Sequence, residues 1–224
     1  MSRAHSRIPE YLDDLPEAAR VVGDAGAGEI QIVRQPAEKE TEEPTGILFD
    51  DGMHFFVRDA VLLPGGKTST QMRVIGTSMY DGPSGVVALA SRGGNVFLRE
   101  IFRHGTRRWE LEAQRGRREE GYTSEQAALK ELDEELGYPV ERLTLMGNVS
   151  GDTAIMASTL PVYWAELGDG PRRDDPEASE AFGKVVELTP AALAARVENG
   201  DIRDSYTLSA ITLAVVAGKI RLTA

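Results

Sequence analysis

Residues 116–138 read GRREEGYTSEQAALKELDEELGY, a loop followed by a helix that concentrates carboxylates. Thr123 is placed to cap the helix with Gln126 three residues on as its reciprocal partner, and Gly137 followed by Pro139 supplies the stop. At about 100° per residue, Ala128, Leu129, Leu132 and Leu136 fall on one apolar face, and Glu131, Glu134 and Glu135, spaced i, i+3, i+4, fall together beside it. Like charges at these spacings destabilise a helix by about 0.2–0.5 kcal/mol per pair. Binding a hard divalent cation through oxygen donors would account for keeping them, and a solvated acidic face is the alternative.

The loop ahead of the helix has Gly116 and Gly121 bracketing four polar residues, which suits a tight turn whose backbone groups face a ligand. Loop and helix together resemble the Nudix box, G-x5-E-x7-R-E-U-x-E-E-x-G-U with U a bulky apolar residue. Gly116, Glu131, Leu132, Glu134, Glu135, Gly137 and Tyr138 fall in register. Two positions depart, with Tyr122 where the family has glutamate and Lys130 where it has arginine. In the family those two residues pair and brace the loop against the helix. The resemblance therefore implies a site that has lost this brace and kept its metal carboxylates.

The rest of the composition narrows the function class. The chain has 224 residues, enough for one main domain plus an extension. Its 25 basic and 36 acidic residues give a net charge of −11, which opposes nucleic acid or an anionic membrane as partner. Basic residues cluster at Arg107, Arg108, Arg115, Arg117 and Arg118, around the box, where they can meet the phosphates of a small ligand or simply aid solubility. With no cysteine there is no disulfide, thiolate metal site or cysteine nucleophile, and a cytoplasmic protein is the simplest fit. No apolar run is long enough to span a bilayer, so no membrane partner is expected. His5, His54 and His104 are scattered, and no G-x-S-x-G is present.

Along the chain, residues 1–45 mix proline, glycine and charge and read as a partly flexible N-terminal extension, with an amphipathic helix over 11–22 and a strand over 30–33. Residues 46–82 read as antiparallel sheet, with strands at 47–49, 54–63 and 71–80. Gly66-Lys67-Thr68 lacks the upstream glycine of a P-loop and reads as a hairpin turn. The main domain, 83–224, opens with a hairpin of strands 86–90 and 95–101 about Arg92-Gly93-Gly94, and continues after the acidic helix with strands 143–149, 159–167 and 184–188. Residues 168–180 form a polar loop. Helices begin after Thr189-Pro190 and at Ser205. This order predicts an α/β fold, a mixed sheet with helices on its faces and an N-terminal antiparallel β extension.

A Nudix-type α/β/α sandwich is also what the resemblance implies. Outside the box the similarity looks most like the ADP-ribose pyrophosphatase branch, carried by residues 98–103 (LREIFR), Glu112, the acidic loop ending in Glu180, and residues 200–207 (GDIRDSYT). Gln114 stands where the branch usually has proline, and Thr153-Ala154 where an acidic residue is common. The resemblance implies Mg²⁺ (or Mn²⁺) on Glu131, Glu134, Glu135 and the backbone carbonyl near Arg115, with Glu131 and Glu135 catalytic. It gives a general base from Glu180, or alternatively Glu177, phosphate contact from Arg103, and substrate or metal orientation from Glu112. The implied activity is hydrolysis of an ADP-sugar such as ADP-ribose to a nucleoside monophosphate and a sugar phosphate, in a homodimer built through residues 46–80. A nucleotide-binding module without hydrolysis, and an enzyme for a nucleoside triphosphate or unusual biosynthetic nucleotide, stay open at this point.

Overall fold

Gly93 and Gly94 have φ of 57° and 84°, values that cost a side chain-bearing residue strain, and they close the hairpin from which the larger sheet grows. The computed structural model describes residues 8–35, 44–80, 82–172 and 182–222. The chain divides into two compact units, Met1–Gly82 with Asp152–Ser158, and Pro83–Gly151 with Thr159–Ala224.

In the second unit, β5 (Gly85–Arg92) and β6 (Asn95–Arg103) form that hairpin. β6 also pairs antiparallel with β7 (Arg108–Glu112) and β11 (Phe182–Leu188), and β5 with β8 (Gln114–Arg117). On its other side β5 runs parallel to β10 (Leu160–Leu167), which pairs antiparallel with β9 (Val140–Val149). One parallel pair among antiparallel ones makes the sheet mixed, as expected. Both faces of β5 are buried, so it reads as an unbroken apolar run and its alternate residues serve opposite layers. Val86, Ala88 and Ala90 share a core with α1 (Ser124–Glu135) through Ala127, Ala128, Leu132 and Leu136. Val87 and Leu89 pack with α2 (Pro190–Glu198) and α3 (Ser205–Val216) through Leu193, Ala210, Ile211 and Ala214. The result is the α/β/α sandwich.

Strands β7 and β8 are absent from the sequence expectation, and their burial explains why. Glu110, Glu112 and Gln114 are the buried residues, while Trp109 is exposed, so the usual alternation of apolar inside and polar outside is inverted. A second correction concerns α1. Leu129, expected on the apolar face, is exposed, and Ala127 is buried in its place. The buried arc is therefore rotated toward the acidic stripe and takes in Glu135, which is only 2% exposed.

The first unit is an antiparallel sheet in which β3 (His54–Leu62) pairs with β4 (Thr68–Gly76) along its length and with β1 (Gln31–Val33) and β2 (Gly46–Asp50) on its other edge. Lys67 lies in the β3–β4 turn, its carbonyl accepting from Leu63 N at 2.9 Å, so the Gly66-Lys67-Thr68 stretch is a hairpin connection. The strand expected over 71–80 begins earlier and stops at Gly76, followed by a 3-10 turn at Thr77–Tyr80. The helix expected over 11–22 is instead two 3-10 turns, Glu10–Asp14 and Glu17–Ala19. Pro16 lacks an N–H and holds Leu15 extended, at φ −94° and ψ 160°. The amphipathic pattern is still used, since Leu12, Leu15 and Ala19 pack with Phe55, Val57 and Ile75. Asp152–Ser158 joins this unit, where Val74 N donates to Ile155 O at 2.8 Å and Ala157 N to Val74 O at 3.0 Å.

Candidate active site

The carboxylate helix begins where its capping chemistry places it. Thr123 Oγ1 accepts from Gln126 N at 3.2 Å, and Gln126 Oε1 accepts from Thr123 N at 2.9 Å. At the other end Gly137, with φ of 70°, lets its N–H return to Leu132 O. These two ends fix the rotation of α1, and that rotation aims two of its glutamates at Arg115 and Gly116 of strand β8. Glu135 Oε1 accepts from Arg115 N at 3.2 Å. Glu131 lies over Gly116 so closely that a Cβ added there would sit 2.0 to 2.3 Å from its carboxylate atoms. Gly116 is thus required by close approach, since the space of its missing side chain is filled by the neighbouring carboxylate.

Glu134 points elsewhere. Its carboxylate takes Lys130 Nζ at 3.0 Å, and the same ammonium bonds Glu119 at 3.0 Å. The structure thus revises the reading of the box departures. Lys130 is braced to the loop through Glu119, three residues ahead of Tyr122, and Tyr122 itself is exposed. The two carboxylates hold the Lys130 ammonium charged well above the ordinary lysine range. A stronger brace comes from Arg118, expected among the phosphate-binding arginines and found buried. Its Nε donates to Pro83 O at 2.9 Å and its Nη1 to Tyr122 O at 2.9 Å, tying the loop to the strand entry.

Beside β8 lies a cleft of about 410 Å³ whose lining includes Arg103, Arg108, Arg115 and Arg203 with Glu110, Glu112 and Asp204. Glu112 is 1% exposed and accepts from Arg103 Nη2 at 2.7 Å and Arg115 Nε at 2.9 Å. Burial pushes its carboxyl pKa up, but the two guanidiniums outweigh that and hold it below the ordinary carboxylate range. Arg115 Nη2 reaches Asp204 Oδ1 at 3.2 Å, and its guanidinium lies over the Tyr206 ring at 5.3 Å. Asp204 caps α3 by accepting from Thr207 N and Oγ1, both at 2.8 Å, and Thr207 Oγ1 accepts from Ala113 N at 3.0 Å. The sequence GDIRDSYT is therefore one network in which Arg203 contacts strand β7, Thr207 the β7–β8 junction, and Asp204 and Tyr206 strand β8. Asp204 and Thr207 carry most of this joint, and only their place in a stretch with family similarity marked them in the sequence.

The expected residues are thus distributed unevenly. Glu131 and Glu135 meet at Arg115 and Gly116 of strand β8, Arg103 and Glu112 pair with each other in the cleft, and Glu134 is held by Lys130. Glu177 and Glu180 lie outside the described residues. Among the described residues no three acidic or histidine side chains are gathered closely enough to hold an ion by themselves. Two carboxylates beside the backbone of β8 are nevertheless the hard oxygen donors that a small divalent cation takes, the remainder coming from water and ligand phosphate. Gln114, where proline is usual, is fully buried with Nε2 directed at Phe97 O, 3.4 Å away.

A family model, the NUDIX domain, matches residues 80–205, more than half of the chain. The chain is 28% identical over 178 residues to an ADP-ribose pyrophosphatase of Bacillus subtilis (strain 168), covering 78% of this chain and 91% of that protein. Its fold matches a crystal structure titled as an ADP compounds hydrolase, with TM-score 0.61 and 17% identity over 85% of this chain and 92% of that one. Glutamates seated on a strand glycine, a cleft beside them and a family match spanning both place the chain in the Nudix family, as a hydrolase.

Proposed function

We propose that the chain hydrolyses the diphosphate of an ADP-sugar such as ADP-ribose, with Mg²⁺ or Mn²⁺, releasing a nucleoside monophosphate and a sugar phosphate. The observation that carries this is the seating of Glu131 and Glu135 on Arg115 and Gly116 of β8 at the edge of the arginine-lined cleft. The similarity to an ADP-ribose pyrophosphatase supports the choice of substrate. Glu131 and Glu135, with the Arg115 carbonyl, would hold the cation, and Glu134 would join them on leaving Lys130. When bound, such a cation neutralises phosphate oxygens and makes water a better nucleophile. Glu112 stays ionised and fixes Arg103 and Arg115, so that Arg103 meets a phosphate without first having to be ordered. The proton of the attacking water would go to the carboxylate of Glu180 or, alternatively, Glu177.

We also propose a cytoplasmic homodimer in which residues 46–80 cover part of the partner's site. The exposed Leu48, Phe49 and Met53 on and beside the edge strand β2, with Phe49 against Phe56 at 5.9 Å between ring centroids, support this. The test of the activity is a panel of nucleoside diphosphate sugars and nucleoside triphosphates incubated with each metal. Metal-dependent release of nucleoside monophosphate from ADP-ribose is expected. Binding of nucleotide with every phosphoanhydride left intact overturns the assignment.

A further inference from the structure

Charge in the cleft is not evenly balanced. At its inner end two guanidiniums, Arg103 and Arg115, face two carboxylates, Glu112 and Asp204. At its outer end two guanidiniums, Arg108 and Arg203, share one carboxylate, Glu110. Glu110 is nearly buried, its side chain 7% exposed, while Arg108 and Arg203 are 53% and 46% exposed. Arg203 Nε donates to Glu110 Oε2 at 3.1 Å and is oriented by it, while Arg108 Nε lies 3.5 Å from Oε1 as an ion pair without a hydrogen bond. Both guanidiniums line the cleft, and a guanidinium binds phosphate in a bidentate manner. Among the described residues neither arginine makes another ion pair. In a protein of net charge −11, two guanidiniums against one carboxylate are a local exception.

We propose that Arg108 and Arg203 form a second anion site that reads a phosphomonoester on a ribose of the substrate, away from the diphosphate that is cleaved. This rests on the ADP-sugar reading above and narrows it to phosphorylated ADP-ribose-like compounds. The phosphate replaces water on two exposed guanidiniums, of which Arg203 is already oriented by its bond to Glu110, so side-chain ordering opposes binding mainly at Arg108. Charge-assisted hydrogen bonds of this type are worth about 1.5–3 kcal/mol each, so one that survives into the complex gives about tenfold or more.

The test compares kcat/KM for ADP-ribose with that for its 2′-phosphate and its 1″-phosphate, which place the added group on the adenosine ribose or on the terminal ribose. One of the two is expected to exceed ADP-ribose by about tenfold, chiefly through KM. In Arg203→Gln, and separately in Arg108→Gln, that ratio is expected to fall toward one. Calorimetric binding of adenosine 2′,5′-bisphosphate and of ribose 1,5-bisphosphate, each against its monophosphate parent, gives a readout that needs no turnover. Equal kcat/KM for all three substrates in the wild type, or a preference that survives in both folded variants, overturns the proposal while leaving ADP-ribose hydrolysis standing. No turnover of any substrate defeats the activity reading instead, and the binding comparison then decides the anion site by itself.

Discussion

Replacing Gly116 by alanine separates the site from the fold. Gly116 is a β8 residue opposite Val86 whose φ is not positive, so the backbone accepts alanine without strain. Loss of glycine freedom in the unfolded chain favours the variant by about 0.4–1 kcal/mol. The new methyl would meet Glu131 carboxylate atoms at 2.0 to 2.3 Å, whereas ordinary contact begins near 3.4 Å. The carboxylate is the mobile end of its side chain, so it moves by more than an ångström and the strand stays. Misplacement of a catalytic group by about 1 Å costs roughly 10²-fold in rate. Gly116→Ala is therefore expected to melt within a few degrees of the wild type, to lose about a hundredfold in kcat and to need more metal for half-maximal activity. Thermal denaturation and metal titration of ADP-ribose turnover check this. Wild-type turnover and metal dependence in a folded Gly116→Ala would refute the placement of Glu131, and a melting temperature lowered by about 10 °C or more would refute the steric account.

Arg118→Ala removes the bonds to Pro83 O and Tyr122 O and is expected to cost about 2–4 kcal/mol, while Lys130→Ala, at an exposed ion pair, costs under about 1 kcal/mol; urea melts of both measure the difference. Tyr122→Glu, at an exposed position, is likewise expected to shift stability by less than about 1 kcal/mol, with or without Lys130→Arg. Thr207→Val leaves the buried Ala113 N–H unpaired and removes the hydroxyl bond to Asp204 while the Thr207 N–H still caps α3, costing about 1–3 kcal/mol and lowering the melting temperature. Glu112 has a folded pKa below its unfolded one, so its contribution is complete above the ordinary carboxylate range and is lost as pH falls through the folded value. Glu112→Gln is expected to flatten the acid limb of a stability-versus-pH curve and to leave its slope above neutrality unchanged.

Local chemistry that announces itself in neighbouring residues was legible in the sequence. The Thr123–Gln126 capping box, the Thr189-Pro190 and Asp204-Ser205 helix starts and the Gly93-Gly94 turn each specify a backbone geometry within a few residues, and each appears as read. What depended on burial of polar groups was not legible. The strands carrying Glu110, Glu112 and Gln114 look like surface because their buried face is polar, and arginines arriving from β6 and from the loop before α3, together with Arg108 and Arg115 of the strands themselves, make that face tolerable. The rotation of α1 was misjudged for the same reason, since Glu135 holds a place that hydrophobicity alone gives to Leu129. The Glu119–Lys130 contact joins a loop to a helix 11 residues on, and no fixed helical spacing marks it.

The most direct test of the central claim is phosphorus NMR of ADP-ribose with Mg²⁺ and either the wild type or Glu135→Gln, with the two proteins matched by melting curve. Glu135→Gln removes a buried charge and keeps the oxygen that accepts from Arg115 N, so the fold is expected to be kept or slightly stabilised. The account predicts that the diphosphate signals give way to two phosphomonoester signals with the wild type and persist with Glu135→Gln. Products formed at the wild-type rate by Glu135→Gln, or a wild type that binds nucleotide and leaves the diphosphate intact, would contradict it.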